Sequence, residues 1–209
     1  MKNILFLQAS PHGFDSLGAR LAHEALMRWQ WHEQRSGAYS VLRNLTEPPL
    51  SALSRDYALA SVSGHPNTDP ALEYSEQLIA ELTQSDCLLI STPMHNFTVP
   101  AVLKLWIDFV LRIDRTFKIT ADGTFGLLAD RPVLVLVRSG GLSIGETARQ
   151  PDFLTPYLKL VLATIGITMV EFIYLDGIAP DDAAIDAARG EIARSSIFTS
   201  AFHHQRDAL

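Results

Sequence analysis

The sequence predicts an α/β fold in which helices cover both faces of a five-stranded parallel sheet, a doubly wound architecture. Three observations carry that expectation. The chain has 209 residues, 47% hydrophobic and 19% charged, enough for one sizeable core and short for two. Five apolar runs lack the alternation of a half-solvated strand and suit strands buried on both faces. Between them lie segments whose apolar residues recur at helical spacing. No repeat, low-complexity tract or linker interrupts this order, so one domain over residues 1–209 is expected.

The first strand is Asn3-Ile4-Leu5-Phe6-Leu7-Gln8-Ala9. Ser10 to Ser16 is a polar turn containing Pro11 and Gly13, and Leu17, Leu21, Ala25, Leu26 and Trp29 then mark a helix beginning close to Ser16. Tyr39 to Leu45 is the second strand. Thr46 to Pro70, rich in Pro, Ser, Gly and Asn, reads as a loop with a weak helical patch from Ala52 to Ala60. Leu72, Ser75, Leu78, Ile79 and Leu82 mark the next helix, and Cys87 to Ser91 the third strand. Pro100 suits a first helical turn ahead of Val102, Leu103, Trp106, Phe109 and Val110, a helix expected to reach about Arg112. Asp122-Gly123, between Phe117 and Phe125, signals a hairpin. Pro132 to Val137 is the fourth strand, Leu154 to Ile165 a helix stopped by Gly166, Thr168 to Tyr174 the fifth strand, and Ala183 to Ile197 the closing helix. Five strands with helical crossovers favour the flavodoxin-like order 2-1-3-4-5 over a six-stranded dinucleotide fold.

Composition removes several classes of function. A formal net charge of -6 lacks the electrostatic footprint that binding a phosphate backbone requires, so no nucleic-acid partner is expected. One cysteine, Cys87, cannot close an intramolecular disulfide, and no Cys/His spacing proposes a metal site. Cys87 opens an apolar strand with nothing basic beside it, as a small core residue would. Ile4 to Leu7 is too short for a signal segment and no run approaches the ~20 apolar residues that span a bilayer, so a cytoplasmic protein without membrane contact is expected. His203-His204 reads as part of a solvated tail. There is no Gly-x-Ser-x-Gly elbow and no Ser/His/Asp arrangement for hydrolysis.

In such sheets ligands bind beyond the carboxyl ends of the strands, where strand order reverses. Three loops qualify. Ser10 and Ser16 flank a turn leading into a helix amino terminus, which favours a phosphate, although Ser16 would serve equally as a simple cap. No GxGxxG or Walker pattern occurs, so the phosphate would be that of a mononucleotide. Pro93-Met94-His95-Asn96-Phe97 offers two rings, a thioether and an amide to a flat heteroaromatic ligand, or else packs on the core. Arg138-Ser139-Gly140-Gly141 ends a buried run with two glycines that let the backbone approach a ligand and present N–H groups to it.

On these segments, together with Thr155-Pro156-Tyr157-Leu158 and Ile165-Gly166-Ile167-Thr168, the chain resembles the FMN-dependent NADH:azo and quinone reductases nearly end to end. The resemblance implies FMN as cofactor and NADH or NADPH as hydride donor. Ser10, Ser16, Leu17 and Gly18 would then hold the FMN phosphate. Pro93, Met94, His95, Asn96 and Phe97 would lie along the isoalloxazine, and Arg138, Ser139, Gly140 and Gly141 at its pyrimidine end. It further implies ping-pong reduction of quinones and azo compounds, and a homodimer for which Trp106 or Phe109 could supply contacts. The family usually has a second serine in place of Gly18, a tyrosine in place of His95, and Ser-Arg-Gly-Gly in place of Arg138-Ser139-Gly140-Gly141. A serine at position 18 is accordingly expected to add a hydrogen bond to the phosphate. An electron carrier or FMN-binding sensory module that reacts with protein partners, or a flavin-free binding module, would share the fold without nicotinamide-dependent turnover.

Overall fold

A computed structural model describes residues 3–33, 39–62, 67–146 and 148–199; His203-His204 lies outside them. The elements are β1 (Asn3–Gln8), α1 (Leu17–Glu33), β2 (Tyr39–Asn44), α2 (Arg55–Val62), α3 (Glu73–Gln84), β3 (Cys87–Pro93), α4 (Ala101–Val110), β4 (Phe117–Thr120), β5 (Gly123–Gly126), β6 (Val133–Ser139), α5 (Leu154–Thr164), β7 (Val170–Asp176) and α6 (Asp182–Arg194). Five strands form one parallel sheet in the order β2-β1-β3-β6-β7. The hairpin strands β4 and β5 pair only with each other, as an antiparallel ribbon. With the ribbon uncounted, the sheet strands lie 2-1-3-4-5 in chain order.

The missing alternation in the strands has a direct cause. Leu5, Leu7, Leu88, Ile90, Val133, Val135 and Val137 face a core shared with α3, α4 and α5. Their neighbours Ile4, Phe6, Leu89, Leu134 and Leu136 face a second core under α1 and α6. β1, β3 and β6 therefore each bury both faces, which only residues apolar at nearly every position tolerate, whereas the edge strands β2, with Leu42 exposed, and β7 are only partly covered. Among the described residues no helix is long and apolar enough to cross a membrane.

Two expectations about α4 change. Trp106 and Phe109 are 1% and 4% exposed, in the core of the chain itself, so neither is available to a partner. Tyr57 of α2 and Tyr74 of α3 cover Phe109 edge-on, with ring centroids 5.0 and 5.3 Å away. The helix also stops at Val110, because Leu111 leaves helical geometry with ψ 87. That turn brings the buried Arg112 guanidinium to Glu76 at 2.6 Å and Asn67 at 2.8 Å.

The ribbon is anchored by two glycines. A Cβ on Gly126 would stand 2.1 Å from the amide nitrogen of Gly166, and Gly166 adopts φ +102 beside the Leu128 carbonyl. Only backbone without side chains fits there. Gly166→Ala places a Cβ 2.5 Å from the Leu128 oxygen at a φ that L residues avoid. The expected cost is about 2–4 kcal/mol, a fall in Tm of roughly 5–15 °C for a chain of this size, readable by calorimetry.

Candidate functional site

The carboxyl ends of β1, β3 and β6 lie side by side, with Gln8 opposite Ser91 and Pro93 opposite Arg138. The first loop is shaped from within β1. Gln8 is wholly buried, and its amide donates to the Ser10 carbonyl at 2.9 Å while its side-chain oxygen accepts the Ser10 N–H. Ser10 Oγ in turn accepts the His12 N–H at 3.2 Å. Ser16 caps α1: its hydroxyl accepts the Ala19 N–H at 3.3 Å and donates to the Gly13 carbonyl at 3.0 Å. The N–H groups of Leu17 and Gly18, next in line, donate to no described residue. Two backbone donors at the positive end of a 17-residue helix are thus left pointing at one place.

The second loop is tighter than its composition suggests. His95 and Thr98 exchange two backbone hydrogen bonds, of 2.9 and 3.0 Å, around Asn96 and Phe97. Both central residues are left-handed, φ +48 and +72, the twist that a two-residue hairpin turn requires. Asparagine adopts it readily, whereas Phe97 holds it under strain. Two bonds from outside brace the turn. The Phe153 N–H donates to the Phe97 carbonyl at 3.0 Å, and the Met94 N–H to the Arg138 carbonyl at 2.8 Å. His95, Asn96 and Phe97 are exposed, while Pro93 and Met94 are half-buried.

The third loop turns on Ser139, whose buried hydroxyl donates to the Gly141 carbonyl at 2.9 Å and accepts the Gly141 N–H at 3.3 Å. Gln150 closes the arrangement: its amide donates to Ser139 Oγ at 2.8 Å and lies 3.6 Å from Met94 Sδ. A Cβ on Gly141 would come within 2.6 Å of Gln150 Oε1, so that glycine makes room for the glutamine. Gly140, in contrast, faces open space. Arg138 brings its backbone carbonyl, but not its guanidinium, to this crevice. Alternation along β6 turns the guanidinium to the other face of the sheet, where it donates to the carbonyls of Leu175, Gly177 and Ile178.

The segment carrying Gln150 and Phe153 is held by Asp152, which accepts the N–H groups of Leu154 and Thr155 at 2.8 and 2.9 Å and so caps α5. The Tyr174 hydroxyl donates to the same carboxylate at 2.8 Å. Burial works to raise the pKa of Asp152, but the hydrogen bonds from Thr155, Tyr174 and Leu154 outweigh it and hold the carboxyl below the usual range. Burial, then the hydrogen bond to Asp152, push the Tyr174 phenol well up, so it stays protonated. Sequence reading missed both glutamines. Gln8 left a signal, a polar residue closing an apolar run, whereas Gln150 left none.

The profile of the flavodoxin-like fold matches residues 2–195. The FMN-dependent NADH:quinone oxidoreductase 5 of Burkholderia lata is 64% identical over 197 residues, 94% of this chain and 96% of that protein. The chain belongs to that family. The FMN-dependent NADH:quinone oxidoreductase 4 of Pseudomonas fluorescens is 51% identical to this member over 94% of both chains. Among solved structures, an FMN-dependent NADH-azoreductase from Bacillus anthracis, in complex with FMN, shares the fold with TM-score 0.78 at 20% identity, over 92% of this chain and 96% of that one.

For this member of the oxidoreductase family, the lowered pKa of Asp152 has a consequence for stability. A carboxyl depressed in the folded state contributes above its unfolded pKa of about 3.9, and that contribution disappears as pH falls through the folded value. Asp152→Asn should therefore destabilise the protein at pH 7, and the difference from wild type should shrink towards pH 3. Urea denaturation at both values measures it.

Proposed function

We propose that the protein binds FMN in the crevice beyond β1, β3 and β6 and uses NADH to reduce quinones and aromatic azo compounds. The observation that carries this reading is the meeting of three ligand-shaped loops at one edge of the sheet, with the unengaged N–H groups of Leu17 and Gly18 in the first. Those two donors and the end of α1 suit a phosphomonoester, with Ser10 and Ser16 shaping the turn that exposes them. Met94, His95, Asn96 and Phe97 offer a thioether and ring faces to a flat ring system, and the strained turn fixes their backbone in advance. Gly140, in open space and with an N–H that donates to no described residue, is the donor available for negative charge on the pyrimidine side. The chemistry FMN supplies when bound is acceptance of a hydride from NADH and its delivery to the acceptor, so the chain needs no general base. Names of close relatives such as the Burkholderia lata enzyme support donor and acceptor alike.

The working unit is a homodimer of one-domain subunits in the cytoplasm. With Trp106 and Phe109 buried, the apolar surface for pairing lies elsewhere. Phe97, Phe153 and Leu160 are exposed on and beside α5, and Ile119 and Phe125 on the ribbon seated against its end. Leu160 is 67% and Ile119 64% exposed, apolar surface that a partner could cover. A partner packed there would also cover the open side of Phe97.

Purified protein should be yellow and carry one FMN per chain; colourless protein that takes up no added FMN overturns the proposal. Initial rates varied in NADH and quinone should give parallel double-reciprocal lines. Sedimentation should show a dimer, and Leu160→Glu should shift it towards monomer by burying a charge at the interface.

A further inference from the structure

Gly18 is the second residue of α1, the position at which the resemblance noted from the sequence implies a serine. A side chain there would meet a neighbour. Ser91, near the end of β3, lies directly beneath, and its Oγ stands 3.1 Å from the position a Cβ on Gly18 would take. Ser91 is 2% exposed. Its carbonyl accepts the Ala9 N–H at 2.9 Å, but its hydroxyl bonds to no described residue. A hydroxyl on so buried a residue, engaged by no described protein group and not fully enclosed, is open to a ligand in the crevice. It lies, moreover, beside the residues whose backbone N–H groups are also unengaged, Leu17 and Gly18. Ser16, by comparison, has both its donor and its acceptor function committed to the cap.

We infer that the Ser91 hydroxyl is a ligand of the cofactor phosphate, supplying from the sheet the hydrogen bond that Gly18 cannot supply from the helix. The inference rests on the reading that this crevice binds FMN. A hydroxyl donating to a phosphate oxygen makes a charge-assisted bond, strong enough to be felt in affinity. Gly18 and Ser91 then form one unit, in which a side chain at 18 would displace Ser91 Oγ by a few tenths of an ångström. This reverses the effect expected of Gly18→Ser from sequence: the backbone at 18 accepts a side chain, but its Cβ would press on Ser91 Oγ.

Apoprotein titrated with FMN and with riboflavin, followed by flavin fluorescence, tests the inference. Ser91→Ala should weaken FMN binding by about five- to thirtyfold and leave riboflavin, which has no phosphate, unchanged. Gly18→Ser alone should weaken FMN, and adding Ser91→Ala to it should restore affinity towards wild type, a coupling that independent sites would not show. Circular dichroism and thermal melts confirm folding; should Ser91→Ala not fold, Ser91→Cys, of similar size and a poor donor, should show the same loss. Equal FMN affinity in wild type and a folded Ser91 variant, or equal losses for FMN and riboflavin, would overturn the role of Ser91 alone. A wild-type apoprotein that binds neither flavin would overturn the FMN reading and this inference with it.

Discussion

The structure depends on a change of chemistry within the last residues of three buried strands. β1, β3 and β6 are apolar on both faces for most of their length, which ties them into a sheet covered on either side. They end in Gln8, in Ser91 and Thr92, and in Ser139, polar groups that are still buried. Polar atoms in that position need partners, and Gln8 and Ser139 find theirs in the surrounding loops. Gln8 folds the first loop back on itself and Ser139 does the same to the third. Because the strands are parallel, all three transitions occur at one edge, and the crevice follows from that coincidence.

Gln150 and Asp152 extend this logic beyond the strand ends. Gln150 links Ser139 to Met94, and so connects the third loop to the second. Asp152 fixes the start of α5 and, two residues from Gln150, keeps the Phe153 N–H on the Phe97 carbonyl. The strain of Phe97 is therefore held by a helix cap on a neighbouring element. A mobile loop would relax it.

Much of the fold was legible because it rests on local patterns. Apolar runs, helical spacing, Gly166 after α5 and the hairpin signal each reflect a short stretch of chain, and element ends differ from expectation by a few residues. The two-residue turn at Asn96-Phe97 was hidden, since neither residue is glycine. What failed to show depends on residues distant in sequence: Gln150 on Ser139, Ser91 under Gly18, and Tyr57 and Tyr74 over Phe109. The turn of Arg138 away from the crevice follows from strand alternation, but only once the faces of β6 are known. Trp106 and Phe109 look the same in sequence whether a helix packs on its own sheet or on another subunit.

The burial of Cys87 bears on chemical durability. Quinones are electrophiles that add to thiolates by conjugate addition, a reaction that would inactivate an enzyme with an accessible cysteine near its substrate. The only sulfhydryl in this chain opens β3, 1% exposed, at the opposite end of that strand from the crevice. Under the proposed activity, that placement keeps the thiol away from the electrophilic acceptors.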